Sequence, residues 1–134
     1  MSKISRIYNQ QASQLTSSRP VWLSRRPGAK RRGKYPPAAG RVMDHVDEAL
    51  RHAWLAWNIA SVRLSAEWTC TAHHVGDVEH HVAGARADAE TAKNLAAHLG
   101  LSELLREEIE VAKRAAQEAE KLVEPMREKW RRGG

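Results

Sequence analysis

Two groups of residues in this chain have the types and spacing to do chemistry. The first is a set of metal-ligating side chains. Cys70, His73, His74, His80 and His81 fall within a dozen positions. His73 and His80 are seven apart, as are His74 and His81. If the chain turned between the two pairs, both arms would bring imidazole nitrogens and the Cys70 thiolate toward one ion. No standard zinc spacing is matched, because there is no second cysteine. Asp77-x-x-His80 is a fragment of the acid-x-x-His pattern of di-iron bundles, which need that pattern twice. The plainer expectation is that no metal is bound. His73 and His74 would then stand at a helix C-terminus, where protonated imidazole is favoured. These five residues remain the alternative metal set.

The second group is basic and aromatic. Arg19, Trp22, Arg25, Arg26, Lys30, Arg31, Arg32, Lys34, Tyr35 and Arg41 lie in the first 41 residues, which hold ten cations and no acid. Such cations neutralise phosphates and release counterions. Trp22 and Tyr35, interleaved with them, are expected to stack on unpaired bases. RNA or single-stranded nucleic acid is favoured over duplex DNA, since nothing resembles a helix-turn-helix reading head or a zinc finger. The same run also reads as a solvated tail, or as one lying on an acidic protein surface.

The elements that must position these groups differ sharply. Residues 1–41 carry Pro20, Pro27, Pro36 and Pro37 with Gly28, Gly33 and Gly40, so no continuous helix is expected there. That arm reads as extended or disordered when free. Residues 42–134 read as a helical body, with net charge −4 against +10 for the arm. The stretch from Arg41 to Cys70 lacks glycine and proline, and Met43, Val46, Leu50, Ala53, Trp57, Ala60 and Leu64 form one stripe at three-four spacing.

Gly76 and Asp77 suit a helix stop and the next N-cap. The spacing therefore predicts helices over about 42–75, 78–99 and 103–130. One unbroken helix from 42 to 99 is the competing layout. The second stripe (Val78, Val82, Ala85, Ala89, Ala92, Ala96, Leu99) and the third (Leu105, Ile109, Ala112, Ala116, Ala119, Val123, Met126, Trp130) are rich in alanine. Matched helices joined by a short turn at Gly100 form an antiparallel hairpin, and Pro125 should kink or end the last helix. The expected fold is all-α: a three-helix bundle of one Trp-rich helix and an Ala-rich hairpin, with a basic arm. Trp54, Trp68 and Trp130 are the candidate protein-interface residues.

Several classes drop out. There is no glycine-rich phosphate loop and no nucleophile elbow. Acids on the helices alternate with Lys and Arg, which reads as a solvated face. No catalytic residue, cofactor or small-molecule substrate is implied. No apolar run approaches the ~20 residues that span a bilayer, and MSKISRIYNQQASQ has no signal-like apolar region, so the chain is expected in the cytoplasm, without a membrane partner. A lone cysteine excludes an internal disulfide framework.

The composite of acidic helical body and basic arm resembles, in shape and charge only, small helical subunits of CRISPR-type effector complexes, ribosome-associated proteins, and phage and nucleoid structural proteins. The function expected is that of a non-enzymatic, nucleic-acid-associated structural subunit whose body docks on protein neighbours. The alternatives are a helical protein-protein adaptor or oligomer without nucleic acid, and a metal-binding helical protein.

Overall fold

The computed structural model describes Trp22 and residues 33–133. Arg19, Arg25, Arg26, Lys30, Arg31 and Arg32 lie outside the described residues, and so, over residues 1–21 and 23–32, does the expectation that the arm of residues 1–41 is extended or disordered when free. Among the described residues every regular element is helical. A short 3₁₀ turn, Pro37–Ala39, leads into α1 (Gly40–Arg63), followed by α2 (Ala72–His98), α3 (Arg106–Glu120) and α4 (Val123–Arg131). Proline suits the first position of that turn because its missing N–H has no partner to lose.

The helices make three limbs of one bundle, and the third limb is α3 followed by α4. Cross-links fix the directions. His52 meets His81 and His45 meets Asp88, so α1 and α2 are antiparallel. Arg86 meets Glu120 and Arg127 meets Glu79, so the third limb runs antiparallel to α2. α1 contacts both other limbs. Its buried sector is accordingly wider than one stripe: Val42, Ala49 and Ala56 are enclosed beside Met43, Val46, Leu50, Ala53 and Ala60. Trp57 is half-buried against this core. The α2 and α3 faces meet through Ala85, Ala89, Ala92 and Ala96 on one side and Ala112, Ala115, Ala116 and Ala119 on the other, all buried.

Three boundaries show how the sequence folds locally. At Gly100, φ is +71°, and the backbone closes α2 with a Gly100 N–H bond to the Ala97 carbonyl and a Leu101 N–H bond to the Ala96 carbonyl. Only glycine enters that conformation without a Cβ penalty. At Pro125, the missing N–H and the ring disrupt the carbonyl four residues back, Lys121. The limb breaks there, at Lys121–Leu122, and the helix phase shifts. Met126 stays inside, but Lys129 is buried and Trp130 is 46% exposed, where the unbroken stripe put Trp130 inside.

The third boundary corrects the expected helix ends. α1 stops at Arg63, and residues 64–71 form a loop rather than more helix. Gly76 is exposed within α2, not a break. The predicted end at Val75 and start at Val78 are therefore both displaced, and the single 42–99 helix is excluded. The cause is tertiary. The Lys129 ammonium donates to the carbonyls of Arg63, Ser65 and Trp68, taking acceptors that the end of a helix leaves orphaned.

α2 begins with a reciprocal cap. The Thr71 hydroxyl accepts from the His74 N–H, and the Thr71 N–H donates to His74 Nδ1 at 3.0 Å. His73 and His74 thus stand at a helix N-terminus, where positive charge is disfavoured, and not at the C-terminus expected from sequence. Partial burial, then the nearby Arg63 and His73, hold the His74 imidazole below its ordinary pKa. Only the neutral ring can accept from Thr71. As pH falls, the unfolded chain takes up this proton first, so the cap's contribution is complete above about pH 6.5 and declines below it. His74→Gln keeps the acceptor and loses the titration. Urea midpoints at pH 7.5 and 5.5 are expected to differ less in this variant than in wild type.

Candidate functional site

The arm returns to the body at two described points. Trp22 is 4% exposed, and its indole N–H donates to the carboxylate of Glu118 on α3. Tyr35 is half-buried against the core, and its hydroxyl donates to Glu108 Oε1 at 3.2 Å. Glu108 and Glu118 are ten positions apart on α3, about 15 Å at the helical rise. Both aromatics expected to stack on bases are thus used against the protein itself. Trp22 in particular is enclosed and offers no open face to a base. Between these anchors the sequence carries Arg25, Arg26, Lys30, Arg31, Arg32 and Lys34 without an acid. Lys34 and Arg41, the cations of the set that are described, are both exposed.

The tryptophans proposed for protein contacts are all on the surface. Trp54 is on the outer side of α1, Trp68 is in the 64–71 loop, and Trp130 is on α4. The Arg63 guanidinium lies over the Trp68 ring, 5.7 Å from its centre. At that separation the cation is held by the ring's negative face.

The five-residue metal set is not brought together. Cys70 is buried, its thiol donating to the Met126 carbonyl at 3.5 Å with Met126 Sδ at 3.9 Å. Burial pushes this thiol's pKa up, against the pull of Lys129, so it is a poor thiolate ligand. His73 pairs with Asp77 at 3.4 Å, and His74 caps α2. Because α2 runs unbroken through Gly76, His73 and His80 lie two turns apart along one helix, about 10 Å, rather than across a hairpin.

A different polar cluster forms where α1 faces α2. His45, Glu48 and His52 share a face of α1 at i, i+3 and i+7, while His81, Gly84 and Asp88 repeat that spacing on α2. In the antiparallel pairing, His45 Nδ1 lies 2.9 Å from Asp88 Oδ1, and His52 Nδ1 lies 3.0 Å from His81 Nδ1. His52 Nε2 lies 3.9 Å from Glu48 Oε2. Gly84 stands opposite, and a Cβ there would meet the His52 ring at 2.9 Å and oblige it to shift. The His80 ring sits edge-on to His52, with centres 6.2 Å apart. Burial, and then His52 and His80, depress the His81 pKa, which keeps its nitrogen available as an acceptor. The hydrogen bond from Arg51 lowers that of Glu48.

His45 and His52 edge the buried stripe of α1 and are hydrogen-bonded there; Asp88 and the pairing with His81 have no counterpart in the sequence reading. The repeated i, i+3, i+7 spacing was the available signal, and it becomes readable once the two helices are known to be antiparallel. Among the described residues, no helix is long and apolar enough to cross a membrane. No protein-family model matches the chain, and neither the curated proteins nor the solved structures contain a match to it.

Proposed function

We propose that this chain is a non-enzymatic, nucleic-acid-associated structural subunit, with RNA or another single strand as its ligand. The observation that carries this reading is the double anchoring of the arm. The sequence between Trp22 and Tyr35 is a run of cations with no acid among them, and each of those two residues is held by a glutamate of α3. A basic segment tethered at both ends is restrained before it binds, so less conformational entropy is lost on the phosphate backbone than from a free tail. Phosphate contacts of this kind supply affinity without sequence specificity. The exposed Trp54, Trp68 and Trp130 are the anchors offered to protein neighbours of the assembly. The setting proposed is the cytoplasm.

A salt series of binding to single-stranded and duplex RNA and DNA tests this. About five phosphate contacts on a single strand give a slope near −3.5 in log affinity against log salt, a loss of roughly a hundredfold between 50 and 200 mM. Replacing Arg25, Arg26, Arg31 and Arg32 with serine should flatten the slope and abolish binding at 200 mM. Trp22→Ala should weaken binding several-fold at every salt concentration while leaving the slope nearly unchanged. A full-length chain that binds none of the four ligands at 50 mM salt would refute the proposal. The exposed tryptophans favour the adaptor as second reading. It predicts partners that survive nuclease treatment and are lost with Trp68→Ala.

A further inference from the structure

We propose that Glu48 and His52 of α1 and Asp88 of α2 form a binding site for a divalent transition-metal ion of zinc-like ligand preference. Each of these side chains offers a donor atom within 4.8 Å of the other two. Donors around a tetrahedral zinc at ~2.1 Å stand about 3.4 Å apart. Side-chain rotation closes the difference. Glu48, whose side chain is 47% exposed, has the freedom to supply most of it. Its present partner is Arg51, at 2.9 Å on the solvent side. Arg51 Nε also donates to the other oxygen at 3.2 Å, so this solvent-exposed i, i+3 fork must open for the ion to bind.

The other two donors are already oriented from behind. His52 is engaged through Nδ1 by His81, which leaves Nε2 on the side of Glu48. His45 holds one oxygen of Asp88, and a carboxylate has a second to offer. Outer hydrogen bonds of this kind fix tautomer and ring direction in metal sites, and their loss weakens binding 10–100-fold. Gly84 lets the His52 ring lie against α2 where any other residue would displace it. One imidazole nitrogen with two carboxylate oxygens suits zinc, manganese or iron(II). Magnesium and calcium prefer an all-oxygen shell. With ligands from two helices, the ion would tie α1 to α2. The site is separate from the arm and does not rest on the nucleic-acid reading.

Titration calorimetry of the full chain with zinc chloride is the direct test. One ion per chain is expected, and Glu48→Gln and Asp88→Asn should each weaken binding at least tenfold. His73→Asn, in the first turn of α2 and paired with Asp77, should leave it unchanged. Gly84→Ala raises helix propensity but pushes on His52, so zinc affinity should drop without loss of helical content. Should a ligand variant misfold, imidazole ¹⁵N spectra of the wild-type chain decide. Zinc should shift His52 Nε2 and leave His73 in place. Three results would each overturn the proposal: no saturable zinc binding, binding that survives both carboxamide variants, or magnesium bound as tightly as zinc.

Discussion

Lys129→Met is expected to cost about 3–5 kcal/mol, a large part of the 5–15 kcal/mol that stabilises an ordinary domain. Lys129 is 9% exposed, and its ammonium converges on three carbonyls, Arg63 and Ser65 at 2.7 Å each and Trp68 closer still. Methionine fills similar volume and removes every donor. Each abandoned carbonyl that stays out of water costs about 1–3 kcal/mol; the estimate allows for one of the three reaching solvent. Burial lowers the lysine's pKa, yet only its protonated form can satisfy three acceptors, and the negative end of α1 favours that charge. Lys129→Arg should recover little, because a planar fork does not match three convergent carbonyls. Urea unfolding with an unchanged m value measures the cost. A loss under about 0.5 kcal/mol for Lys129→Met would show that the 64–71 loop holds itself.

The same contact explains where the sequence stopped being readable. The α2 end at Gly100 was legible because a glycine at the left-handed position closes the helix with its own neighbours. The alanine stripes of α2 and α3 were legible because burial follows helical period. The α1 end was not. Nothing between Leu64 and Thr71 breaks a helix by itself. What ends it is a lysine more than sixty positions away, and Gly76, the local signal, is tolerated inside α2. The phase shift that buried this lysine was half-visible: Pro125 announced a kink but not which of Lys129 and Trp130 would turn inward.

The functional residues divide in the same way. Aromatics among cations in the arm read as base-stacking residues because local composition says nothing of Glu108 and Glu118, which capture them. The histidines drew attention through their neighbours in sequence, Cys70 to His81. The cluster that forms joins His45, Glu48 and His52 to residues 81 and 88 across a helix pair. Sequence spacing within one helix marks a face. Which face of another helix it meets is a tertiary fact.

Met126→Ala should cost as much, at about 3–5 kcal/mol, the upper part of the range for truncating a buried methionine. Met126 is fully buried where α4 returns to the 64–71 loop, its sulfur 3.9 Å from the Cys70 thiol and its carbonyl accepting from that thiol. The cost of such a truncation depends on how far neighbours can collapse into the space. Here they can do little. Much of the core is alanine, from Ala53, Ala56 and Ala60 on α1 to Ala112, Ala115, Ala116 and Ala119 on α3. Alanine has no rotamer to swing into a void, and backbones already close together at small residues cannot move closer. Met126→Leu, nearly equal in volume, should cost less than about 1.5 kcal/mol, and Leu104→Ala, at a position 50% exposed, less than about 0.5 kcal/mol. Denaturant midpoints for the three variants test the ordering. If Met126→Ala loses no more than Met126→Leu, the alanine core is looser than its burial implies, and the bundle relaxes around the missing side chain.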